Sequence, residues 1–308
     1  MDTAAKLIGG ARSKGQALVR QLLSGMSLVD LVGRLTIIFM LVFYCHKLVH
    51  WPTAIMLTLL GGMALLIPSL CKSRFFWTAI AAIHGLYLVG FWVMIDNHQF
   101  LIGYWFLLLA VTYSFPESER ENILKKNSAW LLAIVFLMAC AQKMTSGEFL
   151  NGDFLAKAFV TDRRFNWLGP FFNMDLKTIV ESNWELINYF KGTTTSVQLT
   201  PPNEALAMTA KISAISSLGF QFMLGILFLA PDRPSIVAVR SFLLFSFCFL
   251  LFNLVPIFAF GAILCLLGLS QTTDSKISRG AFIILFFGLI ANVMLPIDLY
   301  PYLPSLFR

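Results

Sequence analysis

Long apolar runs recur along the whole chain, and short polar segments separate them. A helix that crosses a bilayer needs roughly 20 apolar residues. By that measure the runs predict spans at 28–50, 53–71, 75–95, 99–116, 128–145, 206–230, 236–253, 255–271 and 279–297. The seventh and eighth form one apolar block. Asn253 and Pro256 in "FNLVPIF" supply the break, because proline has no N–H with which to continue a helix. The pattern predicts an all-α integral membrane protein, a polytopic helical bundle of about nine spans.

One stretch breaks the rhythm. Residues 146–204 hold seven acidic and five basic residues, with aromatic clusters in "FNWLGPFFNM" and "SNWELINYF". Trp and Tyr rings suit the membrane–water interface, and this aromatic content argues against disorder. A long connection of this kind is expected to serve function, as a cap over the outer mouth of the bundle. The chain thus divides into a basic tail or amphipathic helix at 1–27, five spans at 28–145, the cap at 146–204, and four spans with a short tail at 205–308. The tail lacks the compact apolar core of a signal peptide.

Composition supports the membrane reading. The 308 residues are 58% hydrophobic and 13% charged, where a soluble chain keeps about 25% charged. The net charge of +7 points to topology and not to nucleic acid. With the N-terminus inside, the segments 1–27, "CKSR", "ESERENILKK", "PDRP" and "QTTDSKISR" hold 12 Lys and Arg, while the short outer loops hold almost none beyond Lys47. That is the positive-inside pattern, with a cytoplasmic N-terminus. Each Asn in 146–204 lacks the Ser or Thr of a glycosylation sequon, so a bacterial inner membrane is the expected location. The five Cys lie in or beside apolar runs without a CxxC, and read as small buried hydrophobes.

Polar groups inside a bilayer are costly, and each needs a reason. Arg34, near the inner end of the first run, reads as a snorkelling anchor or a partner for Asp30. His46 and His50 share a helix face, yet neither an HExxH motif nor a third ligand accompanies them; interface anchoring is the reading, and no metal site is predicted. His84, in mid-run, reads as a hydrogen-bonded bundle residue. Lys143 closes the run "MACAQKMTSGEFLNGDFL", where it is either an anchor at a helix end or a group held ready for chemistry. His98, in "IDNHQFLIGYW", falls on the same outer face by this topology. A neutral imidazole takes a proton from an ammonium, so a Lys143–His98 pair would make a general base.

These two segments resemble a known family. "DNHQFLIGYWFLLLA" is similar to the Asn-His helix entry of the HTTM family, the vitamin K-dependent gamma-carboxylase-like membrane proteins. "CAQKMTSGEFLNGDFL" resembles the same family's helix end, with a lysine, a polar stretch and a glycine. On that resemblance Asn97 and His98 take the Asn-His positions, Lys143 that of the lysine base, and Gly152 that of the glycine; Arg34 resembles the early arginine. The resemblance implies a base on the outer face that acts on reduced quinone. The chain departs from the family in two places: Gln221 stands where a Glu is frequent, and Ser246 where a His is frequent. The expected partners are the lipid bilayer, a quinone or lipid ligand, and a membrane or extracytoplasmic protein at 146–204. The alternative is a non-enzymatic scaffold, lipid-binding or assembly component that kept the fold. A transporter ranks third, because no repeat or chain of buried charge supports it beyond Lys211 and Arg240.

Overall fold

The structure is a computed structural model that describes residues 26–46, 50–190, 198–254, 257–272 and 275–294. Most of the tail 1–27, Lys47 and Pro256 lie outside them. Among the described residues the chain is helical, with no strand. It divides into two compact units, Met1–Asn127 and Ser128–Arg308.

The first unit contains α1 (Leu28–His46), α2 (Trp51–Leu66), α3 (Arg74–Phe91) and α4 (Asn97–Ser114). Pro68 ends α2 and opens a 3-10 turn at Pro68–Lys72, so the run expected at 53–71 yields a shorter helix than predicted. α1 is the most buried of these helices, and the others tie to it through side chains. The Trp105 indole donates to Thr36 Oγ1 at 3.1 Å, and the Tyr113 hydroxyl donates to the Val29 carbonyl at 3.2 Å. Gly33 makes the second contact possible, since a Cβ there would meet the Tyr113 oxygen at 2.8 Å. Fully burying a large apolar side chain contributes about 1.5–3 kcal/mol, and Phe39, Phe43, Trp77, Trp105 and Phe106 are all fully buried.

The boundary between the units falls inside α5 (Glu117–Thr145). The polar "ESERENILKK" is the first part of this helix, not a loop. Its 29 residues contain neither Gly nor Pro, and Glu117 and Glu119 sit favourably at the positive end of the helix dipole.

The second unit continues with α6 (Gly147–Leu150), α7 (Asp153–Thr161), a 3-10 segment at Arg163–Phe172, and α8 (Leu176–Tyr189). The long aromatic segment is therefore folded around a core of its own. Phe159, Val160, Phe165 and Leu176 pack with Leu206 and Ala210 of α9 (Glu204–Leu229). Asn183, fully buried on α8, ties α7 to the stretch that leads into α9. Its Nδ2 donates to the carbonyls of Val160 (2.9 Å) and Thr200 (3.2 Å), and its Oδ1 accepts from the Thr200 N–H at 2.9 Å.

α10 (Pro234–Leu254), α11 (Phe258–Leu269) and α12 (Lys276–Met294) complete the unit. α10 and α11 form an antiparallel hairpin: Arg240 Nη2 reaches Gln271 Oε1 at 3.1 Å, and a Cβ on Gly268 would lie 3.0 Å from Leu244 Cδ2. The runs on either side of the expected break thus form two helices packed on each other, and Pro256 lies outside the described residues. Five of the described helices, α1, α3, α5, α9 and α12, are long and apolar enough to cross a membrane. α11, buried along all of Gly261–Leu269, has 12 residues and a length of about 18 Å.

Candidate functional site

Cys140 and Lys143 stand one turn apart on α5 and face α9. The Cys140 thiol donates to the Leu218 carbonyl at 3.6 Å, and Lys143 Nζ donates to Gln221 Oε1 at 2.7 Å. Nζ also lies 4.8 Å from the centroid of the Phe149 ring, on α6. Gln221 is buried and Lys143 half-buried. The ammonium is therefore held by two neutral groups, a carboxamide oxygen and an aromatic face.

The depth of this site follows from the register of α9. Gly225 faces Leu137, Gln221 faces Lys143, and Gly152 presses on the backbone of Lys211. The partners climb in number as α9 descends, so α5 and α9 are antiparallel. Gln221 is ten residues beyond Lys211, or about 15 Å along the helix. The 18 residues from 212 to 229 carry no charge, and Gln221 stands in their middle. Although Lys143 ends its own helix, it is level with the centre of an uncharged segment on the neighbouring one. The connection from Ser146 to Gly152 covers the remaining rise, and Gly152 closes it with φ +86°. A Cβ on Gly152 would lie 2.6 Å from Lys211 Cα, so both the turn and the close approach require glycine there.

His98 and Asn97 open α4 in the first unit, while Lys143 belongs to the second. His98 Nε2 lies 3.7 Å from Asp96 Oδ2, and Asn97 is exposed. His84 is a bundle residue, as its mid-run position implied: it is fully buried between a hydroxyl and a carbonyl. Nε2 faces the Gln99 carbonyl at 3.0 Å, which only accepts, so Nε2 carries the proton and Nδ1 accepts from the Tyr44 hydroxyl at 2.6 Å. His50 Nδ1 lies 2.9 Å from Thr53 Oγ1, and its ring packs on Phe91; the side chain of His46 is outside the described set. Asp30 pairs with Lys72 at 3.1 Å, and Arg34 is exposed. Four Cys are buried as expected, and Cys45 is exposed.

A groove of about 810 Å³ runs between α3 and α4 past Ala82, Gly85 and Gly103. Its lining is mostly apolar, and its polar groups are the hydroxyls of Thr78, Tyr104 and Ser114 and the indole of Trp92. Arg240 is a further buried charged group among the described residues, 1% exposed, with Nη2 on Asp232 Oδ1 at 2.6 Å and the guanidinium over Phe228.

Comparisons with family models, with curated proteins and with solved structures give no match. The HTTM resemblance therefore rests on the quoted segments alone. Two positions that it singles out meet in the structure, Lys143 and Gln221. Phe149 carries no signal in the sequence, because its approach to Lys143 depends on the short helix that follows α5.

Proposed function

We propose that the protein is a multi-pass integral membrane protein of HTTM type, with a cytoplasmic N-terminus in a bacterial inner membrane. In this reading Lys143 is a base toward a lipid-soluble acid such as a reduced quinone. The observation that carries it is the 2.7 Å contact between Lys143 and Gln221, halfway along an uncharged helix segment. An ionisable side chain at such depth is expensive and is kept for function. An anchor lysine belongs beside the headgroups, with its amine in water. A neutral partner also suits a base. Glu in place of Gln221 would hold the ammonium as an ion pair, whereas a carboxamide oxygen leaves the amine able to take a proton from a hydroquinone hydroxyl.

The nine-span count, the orientation and His98 belong to the same proposal. The positive-inside count supports the orientation. His98 stands as the second half of the base pair expected from the sequence.

The test is oxygen uptake driven by reduced naphthoquinone, with the protein in nanodiscs. Lys143→Arg keeps the charge but never deprotonates, so uptake falls by about 10²–10⁴-fold. His98→Ala reports whether the imidazole takes part. Uptake that is absent from the wild type, or unchanged in Lys143→Arg, removes the base reading.

A further inference from the structure

We propose that Lys143 and Gln221 bind the oxyanion head of an amphiphile, a carboxylate or phosphate monoester on a hydrocarbon chain, with Phe149 flooring the site. This deepens the reading of Lys143 above and rests on the same membrane placement.

An ammonium has three N–H donors. One meets Gln221 Oε1, and the Phe149 ring covers another side. Among the described residues no carboxylate pairs with Lys143. Glu148, the acid closest to it along the cap, is held by Lys157 at 3.1 Å. The half-buried amine therefore retains a donor and a full charge without a counter-charge. The same carboxamide that accepts from Lys143 carries an NH2 group, and that group makes no hydrogen bond among the described residues. Two donors thus stand side by side, one charged and one neutral. An oxyanion satisfies both at once, through the charge-assisted bonds that such groups make.

The surroundings select the rest of the ligand. Met144 of α5 and Phe222 and Met223 of α9, each within two residues of a site residue, are exposed. The site is about 15 Å along α9 from Lys211, beside a segment with no charge. A small hydrated anion would shed its water to arrive there. An amphiphile arrives with its tail already in the hydrocarbon, along those apolar side chains.

The experiment uses the full chain in nanodiscs and native mass spectrometry with four probes: oleate, 1-oleoyl lysophosphatidate, oleyl alcohol and inorganic phosphate. At least one of the two anionic amphiphiles binds about tenfold or more tighter than oleyl alcohol, and inorganic phosphate does not bind. The preference between oleate and lysophosphatidate tells carboxylate from phosphate. Lys143→Met and Gln221→Glu each lower that affinity about tenfold or more, the second because its own carboxylate occupies the ammonium. Lys143→Arg retains binding, which shows that the folded site needs only the charge. Equal binding of oleyl alcohol, or unchanged affinity in both Lys143→Met and Gln221→Glu, overturns the proposal. The base reading fails separately: oxyanion binding without quinone-driven oxygen uptake removes only the base, and uptake without oxyanion binding removes only this site.

Discussion

The Tyr44 hydroxyl and His84 Nδ1 meet across 2.6 Å in the interior of the first unit. Their bond joins α1 to α3, and the opposite ring nitrogen reaches α4 through Gln99. His84→Leu keeps most of the volume but strands the Tyr44 hydroxyl, at a cost of about 1–3 kcal/mol. Tyr44→Phe in the same chain removes the stranded group, so the double variant is more stable than His84→Leu alone. Thermal unfolding in detergent checks the order. If the double variant is instead the weaker, the bond is not what His84 contributes.

Gly152 separates two effects that usually travel together. Its φ of +86° disfavours any side chain, and the Lys211 backbone leaves no room for one. Asn tolerates left-handed backbone well, so relief of conformational strain alone would make Gly152→Asn milder than Gly152→Ala. The contact with Lys211 reverses that expectation. Both variants lose about 1–3 kcal/mol, and Asn is no better than Ala. Limited proteolysis within 146–190 reads the loosening of the cap.

Much of the architecture was legible because burial in a membrane protein is written in long runs. The helices at α1, α3, α4, α9 and α12 follow the predicted runs to within a few residues. The apolar block 236–271 left one kinked span and two separate spans open, and the structure resolves it into the helices Pro234–Leu254 and Phe258–Leu269. What composition hides is where one helix stands beside another. Lys143 looked terminal because it ends its own run. Its level against Gln221 depends on the register of two helices separated by the cap, and no local pattern encodes that register. The cap illustrates the same limit: its aromatic residues signalled order, but the helices within it are too short and irregular to announce themselves.

Arg240 and Asp232 give a third prediction. The guanidinium is 1% exposed and the carboxylate 48% exposed, so the pair is half in solvent. Asp232→Ala leaves a buried cation with Gln271 as its remaining side-chain oxygen partner in this contact, at a cost of about 1–3 kcal/mol, below the value for wholly buried pairs. Arg240→Leu added to Asp232→Ala removes the stranded charge and restores part of the loss. The comparison is a double-mutant cycle on thermal stability, and strict additivity would show that the two residues do not act as a pair.

Acid should loosen the cap in a predictable direction. Burial pushes the Asp162 carboxyl up, but its hydrogen bonds and charge pairing with Arg164 outweigh that and hold it below the usual range. The hydroxyl and N–H of Thr178 hold Asp175 below that range as well. A carboxylate whose folded value is depressed stabilises fully above the ordinary value of about 3.9, and its contribution disappears as pH falls through the lower folded value. Cleavage of the cap by an acid-active protease therefore rises as the medium passes below that value. Asp162→Asn with Asp175→Asn raises cleavage at neutral pH and flattens the acid response.

α5 stops two residues past Lys143, roughly 12 Å short of the level where Gly152 meets Lys211. On the membrane reading, this shortfall acts on the lipid itself. Lipid tails beside α5 would tilt and splay over the short helix at Gly147–Leu150, which keeps its own backbone bonded across that rise and leaves the lysine under hydrocarbon. Such elastic distortion has an energy that depends on the host bilayer. The protein would then gather in thin membranes, and bilayer thickness would tune how readily anything reaches the lysine.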